Sequence, residues 1–166
     1  MAHVQYSSKI KTRKQIRRIA GRLRKEGKKI VTANGSFDLF HLGHVKFLEA
    51  AKSNGDVLFV GVNSNTSIHK YKSRDRPIID EKQRLGIVAS LGCVGYVTLM
   101  DEAEIAGPLV RLVKPHVHLN GAEYGRNPKE ADAIKKVHGK LVLFKRAKGI
   151  STTGIIDKIR RLKLKQ

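Results

Sequence analysis

Apolar residues alternate along the chain between short continuous runs and helical spacings. Five short runs rich in valine, isoleucine and leucine are typical of buried strands, at residues 29–33, 57–62, 94–99, 116–119 and 141–144. Helical spacings fill the intervals near residues 42–53, 80–91, 102–113, 128–138 and 152–162. Buried strands that alternate with helices predict an α/β fold with a parallel sheet covered on both faces. We expect ligands at the carboxyl ends of those strands.

The N-terminal segment predicts a basic helix ahead of the sheet. Thr12 is a suitable N-cap, and an apolar stripe runs from Ile16 to Leu23 at spacings of three and four. We therefore expect a helical N-terminal extension at residues 1–28 and one domain at residues 29–166. The length of 166 residues suits one well-buried core better than two.

Charge is distributed unevenly around a formal net value of +20. Residues 1–29 hold eleven Lys/Arg against one acid, and residues 140–166 hold nine against one, whereas the remainder is nearly neutral. Such basic ends either bind anions or act as solvated faces that raise solubility. Specific nucleic-acid binding is disfavoured, because no aromatic-interleaved or zinc-type module accompanies the charge.

Other classes of protein are disfavoured by what the sequence lacks. No apolar run approaches the roughly 20 residues that cross a bilayer, and the N-terminus has no apolar signal region, so we expect a cytoplasmic protein with no membrane span. The single cysteine, Cys93, cannot form an internal disulfide and is expected to be a small buried residue. No Cys/His cluster has zinc spacing, so no metal ligand is predicted.

Two histidines follow the first predicted strand, in the run Asn-Gly-Ser-Phe-Asp-Leu-Phe-His-Leu-Gly-His at residues 34–44. His41 is expected just before the next helix and His44 in its first turn, where unpaired amides and the helix dipole favour phosphate. Two imidazoles there can donate hydrogen bonds to phosphoryl oxygens as charge builds on them. Gly43 would let a nucleotide approach the backbone closely. The alternative is that both histidines only cap and pack.

This run resembles the His-x-Gly-His signature of the cytidylyltransferase-like nucleotidyltransferases. More narrowly, it is similar to the adenylyltransferase domain that acts on D-glycero-D-manno-heptose 1-phosphate. The resemblance covers roughly residues 9–162 and continues in Asn63-Ser64-Asn65, in Arg76-Pro77 and in the Glu-Lys-Gln-Arg run at residues 81–84. It implies a Rossmann-like three-layer α/β/α fold with a five-stranded parallel sheet, and an enzyme that transfers a nucleoside monophosphate and releases pyrophosphate.

Basic and acidic side chains after the first two strands are the next candidates. Lys70 and Lys72 are expected in the loop after the second strand, where two ammonium groups could close over a transferring phosphoryl group. By resemblance Lys72 is catalytic, Lys70 binds substrate, and Arg84 helps to hold the phosphorylated substrate. The alternative for the two lysines is a solvated basic loop. Asp38 either reaches a magnesium ion through water on the substrate side or fixes the turn.

The resemblance also implies a set of nucleotide-binding residues. They are Gly35, Ser36, Phe37, Gly43, Asn120, Gly121, Glu123, Arg146, Ser151, Thr152 and Thr153. Ser151 and Thr152 put hydroxyls and amides at the start of the last helix, again an anion site. The heptose-phosphate enzymes usually carry Lys-Gly-Gly-Asp-Tyr where this chain has Asn-Gly-Ala-Glu-Tyr at residues 120–124. Arg146 instead matches the glycerol-3-phosphate cytidylyltransferases.

The leading expectation is an adenylyltransferase that joins AMP from ATP to a sugar 1-phosphate of the heptose type. The first alternative is a cytidylyltransferase that uses CTP and glycerol 3-phosphate or a related polyol phosphate. A nucleic-acid or partner-binding protein on a relic of this fold is the alternative of another class. Mg²⁺ is expected as a cofactor held mainly by the nucleotide phosphates and water. A homodimer is expected by analogy with similar enzymes.

Overall fold

The computed structural model describes residues 5–101, 107–122, 131–145 and 151–162. A 3₁₀ turn at Tyr6–Lys9 precedes the first helix. The helices are α1 Arg13–Lys25, α2 Leu42–Lys52, α3 Asn65–Tyr71, α4 Glu81–Ser90, α5 Gly107–Val113, α6 Ala131–Lys136 and α7 Thr152–Arg161. The strands are β1 Ile30–Gly35, β2 Val57–Asn63, β3 Tyr96–Met100, β4 Val117–Gly121 and β5 Lys140–Phe144.

The five strands form one parallel sheet in the order β3-β2-β1-β4-β5. Ala33, near the end of the central strand β1, pairs with Val60 on one side and with Leu119 on the other. The chain adds strands outward on one side of β1 and then crosses to the other side at β4. This reversal places a topological switch point between β1 and β4, where doubly wound sheets bind their ligands.

Helices cover both faces of the sheet, as the alternating pattern predicts. On one face α2 and α4 bury Leu48, Ala51 and Val88 against the strands. On the other face α1 and α5 form a second core, which includes Ile16 and Leu109. The fold is therefore the predicted three-layer α/β/α arrangement with a five-stranded parallel sheet.

The N-terminal helix belongs to this packed structure. Thr12 caps α1 in a reciprocal capping box with Gln15, which confirms the predicted start of the helix. Ile16, Ala20 and Leu23 are buried on the face that meets the sheet and α5. The helix thus buries its narrow apolar stripe, while its basic side chains face outward. The domain boundary at residue 28 stays a prediction.

Helix α3 is the main element that the pattern does not predict. Residues 65–71 form two turns, with the Ser64 hydroxyl accepting a hydrogen bond from the Ser67 amide at the N-cap. Only Ser67 and Ile68 are buried in it, so the apolar signal in this short segment is too weak to show a helical period. Lys70 therefore lies in a helix and Lys72 at its C-cap, which corrects the loop expected there.

Candidate active site

The segment between β1 and α2 forms a corner at the carboxyl edge of the sheet. Gly35 ends β1, and α2 begins at Leu42 with His41 as its N-cap. Two residues between them, Phe37 and Leu39, have positive φ angles of 50° and 44°. Residues other than glycine rarely adopt a positive φ angle, and such a backbone conformation persists only where the surrounding structure enforces it. The corner is therefore a strained and specifically held segment.

His41 and His44 lie against each other at the start of α2, as predicted. Their rings stack with centroids 3.9 Å apart and an interplanar angle of 17°. The Nδ1 atom of His41 accepts a hydrogen bond from the Gly43 amide at 3.1 Å, and Nδ1 of His44 accepts one from the His41 amide at 3.4 Å. Because Nδ1 is the acceptor in both neutral rings, Nε2 carries the proton. Both imidazoles are thereby set as Nε2–H donors at a helix N-terminus.

Phe37 supports the histidines from the core rather than from the surface. Its ring is 2% exposed and meets the edge of the His44 ring with centroids 5.5 Å apart. A Cβ at Gly35 would stand 3.2 Å from the Phe37 ring, so a side chain there would crowd it. Phe37 thus packs against His44 and Gly35 leaves room for the Phe37 ring, while the predicted nucleotide-binding role of both residues stays a prediction.

Asp38 is fully buried and engages donors of its own chain. Its carboxylate accepts hydrogen bonds from Arg76 Nε at 2.9 Å and from the backbone amides of Ile78 and Ile79 at 3.0–3.1 Å. Burial alone would raise the pKa of this carboxyl, but the two amides and Arg76 outweigh it and hold the pKa below its ordinary value. Two interpretations of Asp38 were open, a water-mediated contact with magnesium and fixation of the turn. Its hydrogen bonds in this structure support fixation of the turn. It joins the corner to the segment before α4.

Arg84 is likewise a buried connection. Its side chain is fully buried and donates to the carbonyl oxygens of Ile79, Ser36 and Asn63 and to Oδ1 of Asn65. The Ser36 and Asn63 carbonyls lie at the ends of β1 and β2, so the guanidinium ties both strand ends to α4. In this structure the side chain donates to protein oxygens and so positions the elements around the corner. The predicted contact of Arg84 with the phosphorylated substrate stays a prediction.

Lys72 reaches the corner from the other side. Its Nζ lies 3.2 Å from the Ser36 hydroxyl and 5.9 Å from the centroid of the Tyr71 ring. The Tyr71 hydroxyl accepts a hydrogen bond from Nδ2 of Asn63 at 2.9 Å, which anchors this end of α3 to β2. The structure therefore brings Lys72 to the loop that carries Ser36. Lys70 is exposed on α3, and no contact of its side chain with the corner is described.

The start of α7 also meets the corner. The Thr152 hydroxyl donates to the Asp38 carbonyl oxygen at 3.0 Å. Ser151 is the N-cap of α7, and its hydroxyl accepts a hydrogen bond from the Gly154 amide. Thr153 is exposed in the first turn. Two helix N-termini, those of α2 and α7, thus lie at one loop, and both favour phosphate.

The end of β4 stands beside the end of β1. Asn120 is buried, and its Oδ1 accepts a hydrogen bond from the Gly121 amide at 2.8 Å. Leu119, the residue before Asn120, pairs with Ala33 in β1. Asn120 and Gly121 therefore lie at the switch point, next to the corner. Glu123 and Arg146 lie outside the described residues, so their predicted contacts with the base stay predictions.

The described side chains do not form a protein cage for a metal. No group of three or more His, Cys, Asp or Glu residues converges within the described part of the chain. Asp38, the buried carboxylate at the corner, already accepts from protein donors on both oxygens. A magnesium ion at this corner would thus need its ligands from the nucleotide phosphates and water.

Two residues of this network had no role assigned from the sequence. Arg76 pairs with Asp38, and Asn65 connects Arg84 to Asp80 by accepting at Oδ1 and donating from Nδ2 at 2.9 Å. A buried aspartate needs a cationic partner, so the arginine of the Arg76-Pro77 motif was the signal in the sequence from which the role of Arg76 could have been predicted. Nothing local to Asn65 indicates its partners, which are 15 and 19 residues away in the chain.

The sequence pattern of the cytidylyltransferase-like family matches residues 32–158, which include the histidine corner and the start of α7. The chain belongs to the cytidylyltransferase-like family. It is 41% identical over 162 residues to the bifunctional protein HldE of Geobacter metallireducens and 44% identical over 154 residues to that of Aliarcobacter butzleri. These matches cover 96% and 92% of this chain but only 32% and 31% of the relatives. The chain thus spans about a third of their length.

Solved structures show the same fold. The lipopolysaccharide core biosynthesis protein of Thermoplasma volcanium is similar with a TM-score of 0.56 and 29% identity, over 75% of this chain and all of that one. The pantoate-beta-alanine ligase of Francisella tularensis gives a TM-score of 0.61 at 18% identity, over 91% of this chain and 76% of that one, and so shows the fold alone. Within the described residues, no helix of this family member is long and apolar enough to span a membrane.

Proposed function

We propose that this protein transfers AMP from ATP to a sugar 1-phosphate of the heptose type and releases pyrophosphate. The observation that carries the nucleotidyl transfer is the pair of stacked imidazoles at the start of α2, each with Nδ1 accepting from the backbone. The resemblance to heptose-phosphate adenylyltransferases over most of the chain supports the substrate. So does the similarity to a protein of lipopolysaccharide core biosynthesis.

The proposed reaction needs no base. The acceptor phosphate is already an oxyanion; its oxygen forms a bond to the α-phosphorus in line with the departing pyrophosphate, which takes the electron pair of the broken P–O bond. Negative charge builds on the oxygens of the α-phosphorus, and the Nε2–H groups of His41 and His44 stabilise it. The Lys72 ammonium stabilises the same charge, and the amides at the start of α7 hold the remaining phosphates in line. Magnesium enters as part of the nucleotide substrate.

Pyrophosphate release tests the reaction directly. The purified protein is assayed with each of the four nucleoside triphosphates against a panel of sugar and polyol phosphates, with magnesium. We expect release only with ATP and a sugar 1-phosphate of the heptose type. Release with CTP and glycerol 3-phosphate would instead support the cytidylyltransferase, which Arg146 favours by its sequence match. Absence of release in every combination would contradict both.

Nucleotide binding provides a second test that does not depend on the acceptor. Calorimetric titration with ATP and with CTP should show tighter binding of ATP. CTP binding that is tighter by about tenfold, equivalent to about 1.4 kcal/mol, would overturn the choice of base. If the chain bound RNA with a steep salt dependence and bound neither nucleotide, the nucleic-acid alternative would replace the enzyme.

A further inference from the structure

A second concave surface lies at the opposite edge of the sheet from the candidate active site. It is an open groove of about 640 Å³ at the amino ends of β2 and β3, which begin at Val57 and Tyr96. At about 3.3 Å per residue, the seven residues of β2 separate this amino-edge groove from Asn63 by about 20 Å. The groove is therefore distinct from the site at the carboxyl edge.

Cationic side chains converge on the amino-edge groove from three parts of the chain. Those that line it are Lys9 and Lys11 around the 3₁₀ turn, Arg18 and Arg22 on α1, and Lys52 at the end of α2. Asp56 is the one carboxylate among the described lining residues, and its Oδ2 already accepts a hydrogen bond from the Lys29 amide at 2.7 Å. Positive charge therefore exceeds negative charge around the groove by a wide margin.

Two of these cations have a structural role. Lys9 Nζ donates to the Leu91 carbonyl oxygen at 2.8 Å just after α4, and Lys52 Nζ donates to the Gly55 carbonyl oxygen at 3.2 Å just after α2. Each ammonium thus lies at the negative end of a helix, which favours a cation. These bonds also fix both groups at the groove wall, and each ammonium keeps further N–H donors for a ligand.

The other cations have no comparable role. Arg18 and Arg22 are one helical turn apart, a spacing at which like charges destabilise a helix. Arg22 forms an exposed pair with Glu26 at 3.5 Å, but no ion pair joins Lys11 or Arg18 to a carboxylate within the described ranges. Apolar residues, among them the buried Leu58, form part of the groove wall and weaken the screening of charge. An anion in the groove would relieve this repulsion.

We propose that the amino-edge groove binds a small ligand that carries two or more phosphoryl groups. Its volume lies within the range of small-molecule pockets, about 300–1,000 Å³. Its cations surround one cavity from three elements, as suits a compact polyanion, whereas a nucleic-acid strand needs cations along an extended track. Phosphoryl oxygens accept hydrogen bonds from both ammonium and guanidinium groups, so all the lining cations can contribute.

The chain contains its own reporter for this test. Cys93 is half-buried, not fully buried as the sequence predicted, and it lines the groove. Because it is the only cysteine of the protein, alkylation by the uncharged reagent iodoacetamide reports on this wall of the groove. Inorganic tripolyphosphate is the probe. At a probe concentration about ten times its dissociation constant, the alkylation rate should fall about tenfold, because only the free fraction reacts. This measurement requires no turnover and therefore stands if the proposed reaction fails.

Matched variants separate binding in the groove from a general effect of the protein's positive charge. The double variant Lys11→Ala/Arg18→Ala removes two lining cations, and the control Lys14→Ala/Arg17→Ala removes one lysine and one arginine that are exposed outside the groove. Protection of Cys93 should be lost in the first and kept in the second. Arg22→Ala serves as a further lining variant if the first unfolds at a lower temperature than the control.

Each of the following outcomes would overturn the proposal. Unchanged alkylation in the unsubstituted protein at saturating probe, or equal protection in the lining and control variants, would show that the groove holds no such ligand. Protection by a single-stranded RNA of twelve nucleotides without protection by tripolyphosphate would replace the small ligand with a nucleic acid. Loss of protection confined to the control variant would place the anion elsewhere on α1.

Discussion

The two sides of the candidate active site are built differently. On the side of β1 and β2, Asp38 and Arg84 are fully buried, and several hydrogen bonds of each tie the corner to the start of α4. On the side of α7, no residue of the helix is buried, and Ile159 is 56% exposed. The described link between the two sides is the bond from Thr152 to Asp38.

This difference bears on the proposed nucleotidyl transfer. The histidine corner is preorganised by the fold, so its donors need no reordering when charge develops on a phosphoryl group. The start of α7 is held by far less packing, so bound phosphate would help to order it. We therefore expect substitutions on the first side to change stability or turnover strongly, and substitutions at α7 to change nucleotide affinity modestly.

The largest effect is expected at Asp38. Replacing the buried Asp38 with alanine leaves the partly buried Arg76 side chain and the Ile78 and Ile79 amides without their acceptor, so the free energy of unfolding should fall by about 3–5 kcal/mol. Urea denaturation measures it. The control Asp157→Ala on α7 should change the stability by less than about 0.5 kcal/mol. Similar losses in both variants would contradict the contrast between the two sides.

The catalytic effect at the histidines comes next. His41→Ala and His44→Ala should each lower kcat by roughly two to three orders of magnitude, the scale of losing one oxyanion donor, with little change in the unfolding temperature. His138→Asn is the control, since asparagine tolerates the positive φ of 57° found there. Near-normal turnover in both alanine variants would end the assignment of the corner as catalytic.

A buried histidine gives the preorganised side a pH dependence. His118 in β4 is completely buried, its Nδ1 lies 2.8 Å from the Thr32 hydroxyl, and burial lowers its pKa from 6.5 to about 4. Between these values the unfolded chain binds a proton that the folded protein does not. Above pH 6.5, His118 therefore takes nothing from the free energy of unfolding. As the pH falls from 6.5 towards 4, its contribution lowers that free energy by about 3 kcal/mol. His118→Asn should flatten that slope in urea titrations, and an unchanged slope would show that His118 is not its source.

Lys72 is expected to have a smaller effect than the histidines. Lys72→Ala should lower kcat by roughly tenfold to a hundredfold and change the KM for the triphosphate less, because an ammonium beside the corner stabilises the transition state more than the ground state. Lys70→Ala, exposed on α3, should instead raise the KM for the acceptor. Steady-state kinetics separates the two. An unchanged kcat with a raised KM for Lys72→Ala would make it a binding residue.

The smallest effect concerns the link to α7. Thr152→Val removes the bond to the Asp38 carbonyl and should weaken triphosphate binding by about 1 kcal/mol, the usual value of one hydrogen bond. Thr152→Ser keeps the hydroxyl and should restore the affinity in calorimetric titrations. A loss larger than about 3 kcal/mol would mean that α7 is as firmly built into the site as the histidine corner.

The comparison also explains which parts of the site could be predicted. The positions of His41 and His44 follow from the local sequence, because a strand, a turn and a helix start lie within fifteen residues of one another. The roles of Asp38 and Arg84 do not, because their partners are up to 41 and 48 residues away in the chain. The sequence shows that these residues are polar and near the site. Their hydrogen bonds to protein groups follow only from their burial in the folded structure.

The sequence by itself determined the parallel α/β sheet, the strand positions to within about two residues, and the place of the histidine corner. It could do so because hydrophobic periods and helix starts are local signals. The tertiary structure alone decided that α3 is a helix, that Lys72 reaches Ser36, and that basic residues from α1, α2 and the 3₁₀ turn enclose a groove. Those arrangements depend on contacts between distant segments, and the free energy of such contacts is set by packing rather than by local propensity.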